Sequence, residues 1–353
     1  MKNYNIAVIP GDGIGVEVVK SSIEVLNELT KKKDYSLNFT EFEWSSNYYF
    51  KNGIMMPEDG IEQLRNFDAI FLGAVGHPEI QDHVTLNGLL LPIRRAFDQF
   101  ACVRPSILYP GVNTPIRGLK PYDVDFVVVR ENTEGEYANV GGFQYKNFPD
   151  EIAIQSAVFT RKGCERVIRY AFELAIERNK DKHVTSITKS NAQGYSMTLW
   201  DRCFEDIKTD YSSVTTNSLL IDAACMDFIR NPKDFDVVVA SNLFGDILTD
   251  IGAIITGSMG LASSGNLDPT NSNPSMFEPT HGSAPDIAGK GIANPMAQIL
   301  TAGIMLKHLG EKDSAIELEN SVKKVLELGE VLTPDLGGSS KTNQVKEEVI
   351  KNI

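Results

Sequence analysis

The chain has 353 residues, of which 42% are apolar and 23% charged, the balance of a soluble globular protein long enough for two domains. A formal net charge of −13 makes nucleic acid and anionic membranes unsuitable partners, so a small anionic substrate would need locally concentrated arginines. The four cysteines, Cys102, Cys164, Cys203 and Cys225, are far apart with no C-x-x-C pair, as expected of reduced, buried thiols in a cytoplasmic protein. No apolar run is long enough to cross a bilayer, and the opening "NYNIAVI" reads as a strand rather than a signal peptide.

In chain order, "IAVIP" (6–10), "AIFLGAV" (69–75), "DFVVVR" (125–130), "VTSITK" (184–189) and "FDVVVAS" (235–241) are short, apolar and β-branched. Strands buried on both faces have that composition. Between them, residues 15–32, 160–179 and 297–310 carry apolar residues at three- and four-residue spacing, the mark of helices. This alternation predicts an α/β architecture with a largely parallel sheet. One stretch departs from it. Residues 135–159 alternate apolar and polar around glycines and predict a hairpin-like excursion, whose edge a second copy of the chain would cover.

The first glycine cluster, "IPGDGIGVEV", lies where a Rossmann fingerprint would, but the third glycine of G-x-G-x-x-G falls on Val16 or Val18. A second cluster, "GSAPDIAGK" (282–290), places six residues between Gly282 and Gly289 where a P-loop has four, and lacks the hydroxyl residue after Lys290. Neither is a phosphate cradle of those types.

Acids and bases stand out next. In "SNLFGDILTD" (241–250), Asp246 and Asp250 are four apart and share one helix face. Either they hold a hard divalent cation among apolar neighbours, or Asp246 caps the helix and Asp250 is solvated. Asp222 is a lone acid in "LLIDAACMDF", and five scattered histidines without H-E-x-x-H argue against zinc. Arg94, Arg104 and Arg130 are either surface ion-pair partners or a clamp for carboxylates; Arg130 ends a strand, at the edge where open α/β sheets bind ligands. Tyr137 follows shortly after Arg130. Lys189 ends another apolar strand, where lysine either snorkels or serves as a base.

Taken together, "IPGDGIGVEV", "RENTEGEY", "KSN", "SNLFGDILTD" and "FEPTHGSAPDIAGKGIANP" resemble, in order and nearly end to end, the β-decarboxylating dehydrogenases of isocitrate, 3-isopropylmalate and tartrate/D-malate. The resemblance implies the two-domain fold of that family, not a Rossmann fold, with a β-hairpin-like dimer arm at about 135–159. It places a large domain at 1–98 and 253–353, with the NAD-binding loop, and a small domain at 99–252 with the dimer interface. It implies that Arg94, Arg104 and Arg130 clamp the substrate's malate core, with Leu90 and Asn191 also in the substrate site. Tyr137 and Lys189 become the acid–base pair, and Asp222, Asp246 and Asp250 the ligands of Mg²⁺ or Mn²⁺. Lys189 and Asp222 would come from the partner subunit, so the homodimer completes each site. His281, Gly282, Ser283, Ala284, Asp286, Ile287 and Asn294 would bind the adenosine half of the dinucleotide, and Leu72, Gly73 and Ala74 would flank the nicotinamide. Asp286 suits ribose hydroxyls and repels a 2′-phosphate, and NADP-using members carry Lys-Tyr in place of Asp286-Ile287, so NAD is expected. A monovalent cation is a further cofactor that the resemblance admits.

The substrate follows from what precedes Arg94. Isocitrate enzymes place Ser and Asn six and four residues earlier, where this chain has Gly88 and Leu90; a carboxylate against Leu90 would be desolvated and unpaired. Isopropylmalate enzymes share apolar residues at Leu90 and Leu91 but usually have Glu in place of Asn87. "DHVTLNGLLLPIRRAFDQF", "EFEWSSNYY" and "MMPEDG" resemble the tartrate/D-malate branch more. The expected reaction is oxidative decarboxylation of D-malate to pyruvate and CO2, with tartrate and 3-isopropylmalate as weaker substrates. Non-catalytic regulatory relatives lose members of the Tyr/Lys/Asp set, and all five residues of that set are present here.

Overall fold

The computed structural model describes residues 2–353, which fall into two compact units. The first comprises residues up to 99, 103–125 and 252–353; the second comprises 100–102 and 126–251. Along the chain the first unit contributes β1 (Lys2–Gly11), α1 (Gly15–Thr30), β2 (Tyr35–Glu41), α2 (Ser46–Asn52), α3 (Gly60–Leu64), β3 (Ala69–Ala74), α4 (Asp82–Thr85), a π-helical turn (Leu86–Leu90) and α5 (Leu91–Ala96). Strand β4 (Ala101–Ile107) carries the chain across the division. The second unit holds β5 (Asp125–Glu131), β6 (Gly135–Gln144), β7 (Ile152–Val158), α6 (Arg161–Arg178), β8 (His183–Thr188), α7 (Ser196–Lys208), β9 (Thr215–Leu220), α8 (Ile221–Arg230), β10 (Val237–Ala240) and most of α9 (Asn242–Ile255). The chain then returns to the first unit with β11 (Gly265–Leu267), β12 (Ser275–Phe277), α10 (Met296–His308), α11 (Lys312–Leu328) and α12 (Thr342–Lys351).

In the first unit the strands run β2-β1-β3-β12-β11, with β2, β1, β3 and β12 parallel and only the short β11 reversed. Every residue of β3, "AIFLGA", is buried, as a strand covered on both faces requires. Trp44, Met55, Leu64, Ile70, Leu72, Leu89, Leu90, Ile93 and Phe97 pack into one core beside it. In the second unit β5, β10, β8 and β9 lie side by side and parallel. Valine-rich β5 and β10 are buried; Arg130 lies one residue before the end of β5, and Ser241 directly follows β10.

Strands β6 and β7 form the expected hairpin, antiparallel, with a register break between Gly135 and Val140. Its apolar residues are uncovered: Phe143 is 59% and Phe148 68% exposed, with Tyr145, Ile152 and Ile154 also outside. A ribbon that bare would be an unusual end state for a chain acting alone.

The opening glycine cluster is a structural corner. Its backbone N–H groups are spent on protein carbonyls: Asp12 donates to Ala74 at 2.7 Å, Ile14 to Ser283 at 2.8 Å and Gly15 to Asp12 at 2.9 Å. No row of free donors remains there for a phosphate. Gly13 has φ +55°, and a Cβ on it would sit 2.0 Å from the Ser283 carbonyl oxygen, so the loop at 282–284 packs directly on this turn. Asp12, 6% exposed, ties the corner: its carboxylate accepts from Ser46 N (2.8 Å), Ser46 Oγ (2.6 Å) and Gly76 N (2.9 Å). Asp12→Ala would leave buried donors unpaired and should cost about 3 kcal/mol. A lowered urea midpoint with unchanged slope is the expected readout.

Candidate active site

Arg130 ends β5 and is 2% exposed. Its guanidinium is gripped from α9: Nε and Nη2 donate to Asn242 Oδ1 at 3.0 and 2.6 Å, and Nη1 donates to Asp246 Oδ1. Tyr137 donates its hydroxyl to the other oxygen, Asp246 Oδ2, at 3.1 Å, and its ring centroid lies 5.3 Å from the Arg130 carbon Cζ. One carboxylate therefore collects a cation and a phenol. The helix comes this near because residue 245 is glycine; a Cβ there would be 2.7 Å from Arg130 Cβ.

Helix α9 begins at Asn242, so Asp246 lies a full turn inside it and is not a cap, although Asp250 is exposed as that alternative had it. Asp250 follows on the same face, one turn on, and is exposed. The apolar neighbours do not enclose the two acids: Ile247 and Ile254 face outward in this chain, and Asp250 is exposed.

Lys189, just past β8, and Asp222, in the first turn of α8, form their own pair at 2.7 Å. The Lys189 ammonium holds the exposed Asp222 carboxyl below its usual range. This pair occupies Lys189 Nζ with the Asp222 carboxylate within the chain. Asn191 is exposed on the turn that follows. Among the described residues no three acidic, histidine or cysteine side chains gather as a metal cage within one chain. Asp246 and Asp250 still offer a set of hard oxygen donors that fits Mg²⁺ or Mn²⁺, and Asp222 is an exposed carboxylate elsewhere on the same unit.

In the first unit Arg94, on α5, donates through Nη2 to Glu278 Oε1 at 2.5 Å, and Asn266 Nδ2 supports the same oxygen at 2.8 Å. Arg94 Nε is buried with no partner, an unused donor. Arg104 is buried on β4. Leu90 is 7% exposed within the first unit's core, so little more than an edge of it remains for a ligand. The π-helical turn just before α5 is a feature common at functional sites. Met55 fills the space beside Gly88, where a Cβ would meet Met55 Cγ at 2.6 Å.

The loop after β12 borders a cleft of about 590 Å³ lined by residues 75–78, 80–82 and 282–285. Ala284 adopts φ +40°, a strained value of the kind that clusters at ligand sites. Burial pushes the His281 imidazole below its ordinary range; its Nδ1 lies 3.1 Å from the Gly282 carbonyl, while the buried Nε2 has no partner. A neutral ring donating from Nδ1 leaves Nε2 as a buried, bare acceptor. Asp286 and Gly282 are exposed, Ser283 is buried, and Ile287 packs with Ala284 against Ile14 and Val18. The Asn294 side chain is committed twice, donating to Asp335 at 3.0 Å and accepting from Met296 N at 3.0 Å. Leu72 is fully buried, its carbonyl accepts from Gln298 Nε2 at 3.1 Å and its strand pairs with β1, so the expectation that it flanks the nicotinamide needs correction: no part of it is open to a cofactor. Gly73 lies against Pro10 and Gly15, and the Ala74 carbonyl accepts from Asp12. These features fit a dinucleotide: an unpaired buried acceptor, a strained loop and an exposed acid two residues on from it.

Residues 5–349 match the family model of isocitrate/isopropylmalate dehydrogenase. The chain belongs to that family. A probable tartrate dehydrogenase/decarboxylase of Bacillus subtilis (strain 168) is 50% identical over 100% of this chain and 99% of its own length. The D-malate dehydrogenase [decarboxylating] of Escherichia coli (strain K12) is 48% identical over 100% of this chain and 99% of its own. The crystal structure of isocitrate dehydrogenase from Methylococcus capsulatus superposes with a TM-score of 0.88 at 34% identity, covering 99% of each chain. The fold is thus that of the isocitrate/isopropylmalate dehydrogenases, as the motifs imply.

Sequence reading passed over several residues that organise this dehydrogenase. Glu278 holds Arg94, Asn242 holds Arg130 and Asp12 holds the corner, and each sits inside a motif conspicuous for a neighbour. Glu131 is another. It is buried next to Arg130, accepting from Thr133 N, Thr133 Oγ1 and Glu134 N at 2.8–3.0 Å, and burial raises its pKa from 4.5 to about 6. The native state therefore binds a proton that the unfolded chain releases between those two values. Ionised Glu131 should cost about 2 kcal/mol above pH 6, and stability should fall as pH rises from about 4.5 to about 6. Denaturation across that window should show this slope in the wild type and lose it in Glu131→Gln.

Proposed function

We propose that this chain is an NAD- and divalent-metal-dependent dehydrogenase that oxidises D-malate at C2 and decarboxylates it to pyruvate and CO2. Tartrate and 3-isopropylmalate are weaker substrates. The observation that carries this reading is the meeting of Arg130 and Tyr137 on Asp246, one turn from Asp250. A carboxylate-binding cation, an acid–base hydroxyl and oxygen ligands for a cation then occupy one place. The names of the Bacillus subtilis and Escherichia coli relatives support the substrate class.

Arg94, Arg104 and Arg130 bind the two carboxylates of malate; the unused Nε of Arg94 is a donor suited to that work. Asp222, Asp246 and Asp250 hold the divalent cation, which when bound supplies Lewis-acid polarisation of the substrate oxygens. Lys189 Nζ would accept the C2 hydroxyl proton during oxidation at C2, for which NAD when bound would supply the hydride acceptor. After CO2 departs, the Tyr137 hydroxyl returns a proton to C3. Leu90 and Met55 leave no polar group for a third carboxylate, which disfavours isocitrate. His281 and Asp286 bind the adenosine half of NAD from the loop beside the first unit's cleft, and Asp286 excludes a 2′-phosphate.

A second copy of the chain completes each site. Lys189 pairs with Asp222 rather than with Asp246 or Tyr137 in the same chain, and the bare apolar hairpin supplies the surface on which a copy docks. The first unit, which also takes in residues 103–125 that the sequence boundaries had put in the small domain, then carries NAD, and the second unit carries the dimer contacts.

With Mn²⁺ and NAD, NADH formation should be fastest with D-malate and abolished by chelation. A kcat/KM for 3-isopropylmalate about tenfold higher or more would reverse the substrate order. Lys189→Ala and Asp250→Asn should each be inactive alone. Mixed dimers of the two should recover about half the wild-type activity, because one of the two sites then draws every group from an intact copy. No recovery on mixing would mean that each site is built from a single chain.

A further inference from the structure

Glu136 has no role in the chemistry just described, yet it joins the strand bearing Tyr137 to the helix bearing Asp246 and Asp250. Its carboxylate accepts from Ser241 Oγ at 2.8 Å and from the Leu243 backbone N at 3.1 Å. Leu243 is in the first turn of α9, whose backbone donors have no intrahelical partner. A cap residue ordinarily turns its own oxygen on those donors. Ser241 instead donates its hydroxyl to Glu136, and a carboxylate from β6 takes over the capping, where the helix dipole favours negative charge. In a regular strand Glu136 and Tyr137 would point to opposite faces. The pairing of β6 with β7 is broken between Gly135 and Val140, and this irregular stretch lets both neighbours address α9, Glu136 at its start and Tyr137 one turn in.

We infer that Glu136 is a positioning residue that sets the height and rotation of α9 against Tyr137, and so places Asp246 and Asp250 to receive the divalent cation. The inference rests on the functional reading above for the cation, but the clamp itself does not depend on it. Gln at this position still offers an oxygen to Leu243 N, and its amide can donate to the Ser241 hydroxyl, so the clamp survives with neutral bonds. Ala removes both.

The test compares Glu136→Ala, Glu136→Gln and wild type in the full-length protein. Amide hydrogen exchange in the first turn of α9 should rise about tenfold in the Ala variant, with α6 unchanged, and stay near wild type in the Gln variant. Mn²⁺ affinity, read from the free-ion spin-resonance signal, should weaken about five- to tenfold in Ala and less in Gln, while the KM for NAD holds. Unchanged exchange in Ala overturns the inference, as does faster exchange with unaltered Mn²⁺ affinity, or a Gln variant as impaired as Ala. A wild-type protein that binds no Mn²⁺ sinks the functional reading instead, and hydrogen exchange then judges the clamp alone.

Discussion

The carboxylate of Asp246 is the point on which the second unit's chemistry turns. Arg130 is almost wholly withdrawn from water, and a guanidinium in that position must have anionic and carbonyl acceptors close by. Asp246 and Asn242 supply them from one helix, and Tyr137 shares the same acid. Such a pair contributes little net stability relative to an apolar replacement. Removing one partner alone leaves a buried charge and costs about 3–5 kcal/mol. What the pair secures is geometry: strand end, hairpin root and helix start are held at one spacing, made possible by the missing side chain at Gly245.

A comparable knot holds the first unit. Asp12 and the glycines around it join the ends of β1 and β3, the start of α2 and the loop at 282–284. The likeness of "GDGIG" to a nucleotide signature has a physical explanation. Both need glycine for close backbone approach, but here the approaching group is the protein's own Ser283 carbonyl rather than a pyrophosphate. The loop held by this contact carries His281, whose unpaired Nε2 is the more telling feature for a ligand.

The chain leaves Asp250, Asp222 and the hairpin's aromatic residues at its surface. Exposed carboxylates are well solvated and tolerate one another until a cation draws them together; exposed aromatic surface is tolerated much less. That contrast separates the acids, which water can satisfy, from the hairpin's aromatic residues, which it cannot.

Much of the fold was legible in the sequence, because its determinants are local. Valine-rich runs at β5 and β10, three- and four-residue periodicity at α1 and α6, and the glycine-rich alternation at β6–β7 identify strands, helices and hairpin without reference to anything distant. The candidate residues Arg130, Tyr137, Asp246 and Asp250 were likewise visible, as charges or hydroxyls in places where apolar pattern and strand ends make them conspicuous. Tertiary structure alone decided how they are partnered. That Asn242 holds Arg130, that Glu136 caps α9 in place of Ser241, that Asp250 is wet and that Lys189 rests on Asp222 all depend on which side chains meet across more than thirty residues of chain. Hydrogen bonds and burial are set by distance in space, and no spacing along the sequence encodes that distance.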